Sequence, residues 1–65
     1  MILDITKHAK ERMILHGITR DDIKKAIIQG AKFEQTEGLL AKYSYIRVAY
    51  KKRGDRYRIK TVFVG

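Results

Sequence analysis

Thr6-Lys7-His8-Ala9-Lys10-Glu11-Arg12-Met13-Ile14-Leu15-His16-Gly17-Ile18-Thr19-Arg20-Asp21-Asp22 holds a helix start, a helix stop and a second helix start. Thr6 reads as an N-cap. Lys7 to His16 contain no helix breaker, and Gly17 is placed to close the helix as its C′ residue. Thr19 to Asp22 then form a variant capping box, with Asp in place of the usual Glu at the third helical position. Ile18 and Ile23 take the two positions of a hydrophobic staple around it. The second helix carries Ile23, Ala26 and Ile27 at core spacing and ends at Gly30, a second C′ glycine. The first helix offers only Ala9 and Met13 to a core, with Arg12 and His16 at the edge of that face. So thin an apolar stripe requires a sheet to pack on.

The rest of the chain supplies one. Phe33 to Thr36 reads as a short strand, Glu37-Gly38 as a turn, and Leu39 to Lys51 as a long strand. Arg53-Gly54-Asp55-Arg56 is the tightest turn signal, because glycine at the first central position suits a type II′ hairpin. Tyr57 to Val64 forms the last strand. A two-residue Gly54-Asp55 loop sets Tyr50 opposite Ile59, Val48 opposite Thr61 and Ile46 opposite Phe63. On the other face, Lys51 meets Arg58, Ala49 meets Lys60 and Arg47 meets Val62. One face is then apolar and covered by helices, whereas the open face collects Tyr43, Tyr45, Arg47, Lys51, Arg58 and Lys60. The expected fold is α+β, two N-terminal helices packed on a three- to four-stranded antiparallel sheet, in a single domain over residues 1–65.

Composition narrows the function. Fifteen Lys and Arg against seven Asp and Glu give a net charge of +8, which favours polyanionic partners through counterion release. Nucleic acid comes first among these and an anionic membrane second. The apolar runs fall far short of the roughly 20 residues that cross a bilayer, so a soluble, cytoplasmic protein is expected. The chain has no cysteine, hence no disulfide framework and no thiolate metal site.

Two groupings carry candidate chemistry. Lysine and arginine interleaved with tyrosine on a sheet face suit RNA, since cations hold phosphates and phenol rings stack on unpaired bases. The same pattern also serves a solvated face on which long basic side chains cover apolar rings. Second, His8, Arg12 and His16 stand four apart on one side of the first helix. An imidazole there can move a proton in a phosphodiester reaction while arginine holds developing charge. A histidine in the last turn is equally explained by the helix dipole. His8 and His16 lie about 12 Å apart along the axis, too far to share a metal ion, and no cofactor motif is present.

The string His8-Ala9-Lys10-Glu11-Arg12-Met13, followed by His16-Gly17-Ile18 and an acidic-led second helix, resembles an uncharacterised family that begins H-A-x-x-R-M-x-x-R-G-I. The likeness continues through Gly30, the Tyr43 to Tyr50 strand and the Ile59 to Val64 ending. That family looks like a compact branch of the RelE/ParE toxin superfamily. The resemblance implies a toxin of a type II toxin–antitoxin system that binds RNA and acts as a ribosome-dependent mRNA endoribonuclease. By similarity of location, Arg47, Arg58, Lys60 and Tyr45 are its cleavage candidates, with His8 or a tyrosine handling protons. Tyr43, Tyr45, Lys51, Arg12 and His16 are the expected RNA contacts. The attack would be that of a 2′-hydroxyl on its own phosphate. The alternatives are a non-catalytic RNA- or protein-binding module and a gyrase-directed ParE-like inhibitor. Expected partners are RNA or the ribosome and an antitoxin, and an exposed sheet edge also suits a homodimer.

Overall fold

A computed structural model describes residues 1–65. In chain order the elements are β1 (Ile2–Ile5), α1 (Lys7–His16), α2 (Arg20–Gln29), β2 (Ala31–Gln35), β3 (Gly38–Tyr43), β4 (Ile46–Arg53) and β5 (Arg56–Val64). The strands form one sheet in the order β1-β5-β4-β3-β2. Neighbours are antiparallel except β1, which runs parallel to β5.

This architecture corrects the expected fold class. The sheet has five strands and is mixed, not three or four and antiparallel. The difference lies first in Ile2–Ile5, which is too short to show a strand period by itself and gains its pairing only when β5 is alongside. Parallel pairing sets Leu3 beside Tyr57 and Ile5 beside Ile59, and both apolar side chains pack on the core. The expected long strand from Leu39 is also two strands. They are joined at Ser44-Tyr45, where Ser44 takes a left-handed backbone with φ of 55°.

The helices form as their caps dictate. Thr6 Oγ1 accepts the Ala9 N–H at 3.1 Å, and Gly17 ends α1 in the left-handed region at φ 67°. Thr19 and Asp22 exchange both bonds of the capping box, at 2.9 and 3.1 Å. Gly30 departs from its expected role, because its φ of −76° is extended rather than left-handed. A Cβ there would lie 2.5 Å from the Ala26 carbonyl oxygen and 2.6 Å from that of Lys42, so close backbone approach selects this glycine.

Ile23, Ile59, Val48 and Val62 are the largest fully buried side chains, and burial of each contributes roughly 1.5–3 kcal/mol. Both staple residues, Ile18 and Ile23, join this core. Helix α1 packs on β5, and α2 packs on β3 and β4. Thr6 ties α1 to the sheet, since its hydroxyl donates toward the Ile59 carbonyl at 3.0 Å.

The β4–β5 hairpin follows the expected register only near its turn. Arg53 pairs with Arg56, Lys51 with Arg58 and Tyr50 with Ile59, and then a β-bulge shifts the ladder by one residue. Beyond it Ala49 faces Thr61, Arg47 faces Phe63, Val48 faces Val62 and Ile46 faces Val64. The physical gain is plain. The bulge turns fully buried Val62 inward and leaves half-exposed Phe63 outside, where the unshifted register would do the reverse.

Candidate nucleic-acid interface

With both helices on one face, strand alternation assigns the other face to solvent. Across β1, β5 and β4, two rows of that face lie side by side. Asp4, Arg58 and Lys51 make one row, and Ile2, Arg56 and Arg53 make the next. Lys60, the extra residue of the bulge, adds its side chain from β5. Together these rows and the β2–β3 turn enclose a concavity of about 550 Å³ lined by Asp4, Glu37, Lys51, Arg53, Arg56, Arg58 and Lys60. No apolar residue lines it.

Its charge is largely uncompensated. Five cations face two carboxylates, and the one ion pair among them joins Arg56 to Asp4 at 4.0 Å between well-exposed side chains. Such a pair contributes little in water. Lys60 Nζ donates to the Glu37 backbone carbonyl at 2.7 Å, which fixes the ammonium without neutralising it. Lys51, Arg53 and Arg58 make no ion pair and no side-chain hydrogen bond. An anion with several charged oxygens is the natural complement of this arrangement.

The expected site residues divide among three places. Arg58, Lys60 and Lys51 share the concavity. Arg47 is on the same face but four positions along β4 from Lys51, roughly 13 Å away. Its guanidinium donates to the Ser44 carbonyl at 2.9 Å and lies against Gly65. His8, Arg12 and His16 stay on α1 and line no part of the concavity. His8 Nε2 bonds to Thr61 Oγ1 at 3.0 Å, while Arg12 donates to His16 Nε2 at 3.4 Å.

The tyrosines correct the expected open face. Tyr43 pairs with Ile46 and packs against the core, so it is not on the solvent face. Tyr45 belongs to the β3–β4 turn and is well exposed. Tyr50 is buried beside Tyr57 at 5.9 Å between ring centroids, and that burial pushes its phenol pKa up. The aromatic surface of the open face is instead Phe33 and Phe63, both exposed.

Four lining residues, Asp4, Glu37, Arg53 and Arg56, lie outside the expected set. Arg53 and Arg56 flank the Gly54-Asp55 turn, so the two-residue loop was itself the signal that they face each other. Asp4 became visible only with β1 in place. Glu37 enters because the turn lies at Thr36-Glu37, with Gln35 paired to Gly38.

Fold and site define a two-layer domain, two helices on one face of a mixed sheet, whose free face carries a cationic concavity. The chain belongs to the family described as a domain of unknown function, DUF4258, whose model matches residues 5–64. No curated protein and no solved structure matches it.

Proposed function

We propose that this protein acts on RNA, holding the strand's phosphates in the concavity on its open sheet face. The observation that carries the reading is the set of five cations around that concavity, opposed by only two carboxylates. Guanidinium and ammonium groups there take the place of the counterions that a polyanion releases on binding. RNA is favoured over duplex DNA by the exposed aromatic rings Phe33 and Phe63 of that face, with exposed Tyr45 in the adjoining β3–β4 turn, which suit unpaired bases.

Cleavage in the manner of RelE-type toxins is the activity we assign to this binding. It is supported by the resemblance in sequence and by the mixed lining of the concavity. A carboxylate, Glu37 or Asp4, stands among cations there and can take the proton of a 2′-hydroxyl as it attacks the adjacent phosphorus. Arg58 and Lys60 then hold the charge that builds on the phosphoryl oxygens. The 5′-oxygen leaves with a proton from solvent or a nearby acid, giving a 2′,3′-cyclic phosphate.

The test is a translating ribosome extract with end-labelled mRNA, comparing wild type with an Arg47→Ala/Arg58→Ala variant and with Arg58→Ala alone. Discrete cuts by wild type, lost in both variants, support cleavage through the concavity. Intact mRNA with wild type discards the RelE-like mechanism and leaves RNA binding without chemistry. Loss of DNA supercoiling with translation untouched would instead favour a gyrase-directed inhibitor.

A further inference from the structure

We propose that two copies of this chain join edge to edge through β2, Ala31-Lys32-Phe33-Glu34-Gln35, forming one continuous ten-stranded sheet. The inference goes beyond RNA binding and rests on the edge strand alone. β2 is the last strand of the sheet on its side, and all five of its residues are exposed. It contains no proline or bulge to block pairing. An edge guarded by charges of one sign repels its own copy, but this edge carries one of each.

The two charges are symmetric about Phe33. In an antiparallel pairing centred on that residue, Lys32 of one copy faces Glu34 of the other, and the reverse pair forms by the same two-fold axis. Phe33 then meets Phe33, and Ala31 meets Gln35. Lys32 Nζ, which bonds its own chain's Gly30 carbonyl at 2.5 Å in the single copy, has only to swing across the strand.

Backbone geometry supports the same register. Gln35 and Gly38 close a two-residue hairpin, so residues 31, 33 and 35 direct their N–H and C=O groups to β3. Lys32 and Glu34 direct theirs outward to the free edge. The charged pairs therefore coincide with the hydrogen-bonded pairs, giving four intermolecular backbone bonds. Phe33 falls at the non-hydrogen-bonded site, where facing side chains come closest. A perpendicular two-fold axis leaves both open faces on the same side. The two Lys51 strands then stand five strand spacings apart, roughly 24 Å. One RNA could thus engage two cationic concavities.

A contact of this size belongs to the small end of protein interfaces, so association depends on concentration. The experiment is sedimentation equilibrium without RNA, combined with oxidative crosslinking. The chain has no cysteine of its own. Phe33→Cys should crosslink, because facing Cα atoms at a non-hydrogen-bonded pair are about 4.5 Å apart, within disulfide reach. Gln35→Cys should not, because its own copy lies four residues away along the strand. Glu34→Lys should weaken association at least tenfold by setting Lys against Lys, and Lys32→Glu/Glu34→Lys should restore it. Far-UV circular dichroism checks that each variant folds. A monomeric wild type at high concentration overturns the proposal. So does a dimer that ignores Glu34→Lys, which would point to another surface such as the apolar groove beside Met13, Ile14 and Ile18.

Discussion

Lys60 Nζ reaches from β5 to the Glu37 backbone carbonyl at 2.7 Å, joining the bulge of one hairpin to the turn of another. Lys60 keeps the open-face side that alternation from Arg58 gives it, and the bulge formed there turns Val62, two residues on, into the core. Beneath the path of Lys60, Gly38 sits so close to β4 that a Cβ would lie 2.5 Å from the Tyr50 carbonyl oxygen and 3.4 Å from Lys60 Nζ. The residue that the bulge leaves unpaired thus lines the cationic concavity.

Gly38→Ala is expected to destabilise the protein by roughly 1–3 kcal/mol, since φ of 144° and a backbone clash act together. Chemical denaturation of the variant measures this. An unchanged midpoint would mean that β3 and β4 separate freely at this point.

Lys60→Met should leave stability nearly unchanged while weakening RNA binding, since the ammonium is exposed to the concavity and its partner carbonyl lies in a solvated turn. Paired denaturation and RNA-binding titrations check it. A large loss of stability with intact binding would make Lys60 a structural strut only.

Thr6→Ala loses the α1 cap and the link to β5 at once, whereas Thr19→Ala loses only one side of the α2 capping box. The cap alone contributes about 1 kcal/mol, so Thr6→Ala should be the more damaging of the two. Comparing their denaturation midpoints decides it. Equal losses would mean that the Thr6 hydrogen bond to β5 adds nothing to stability.

Asp22 carries a pH prediction. Its hydrogen bonds from the Thr19 backbone and side chain hold its carboxyl below the usual range, aided by Lys25. A carboxyl whose folded pKa is depressed adds stability above its unfolded value, about 3.9, and loses it as pH falls through the folded value. Asp22→Asn should therefore be less stable than wild type at neutral pH, and the gap should close in acid. A gap independent of pH would contradict the ionic contribution.

The helices were legible because their signals are local. Thr6, Gly17, Thr19 and Asp22 act within one turn of themselves, and the boundaries follow from them. The sheet depends on partners far along the chain. Ile2–Ile5 becomes a strand only through β5, and the bulge arises from competition between Val62 and Phe63 for the core, which no local pattern around residue 60 displays. The site was half legible for the same reason. Lys51 and Arg58 follow from the hairpin turn, whereas Asp4 and Glu37 come from elements whose pairing had to be seen. Tyr43 was misplaced because the Ser44-Tyr45 turn carries no glycine to announce it.

If RNA lies on the open sheet face, a fluorescence titration of single-stranded RNA over a range of salt concentrations will count the cations it meets there. With about five phosphate contacts, log affinity against log salt should fall with a slope near −3.5 for wild type. Arg53→Ala/Arg56→Ala/Arg58→Ala should cut that slope by about 2 and weaken binding at least tenfold, while Lys10→Ala/Lys24→Ala on the helices should change neither. Equal affinity and slope for wild type and the triple arginine variant would place the RNA elsewhere than on this face.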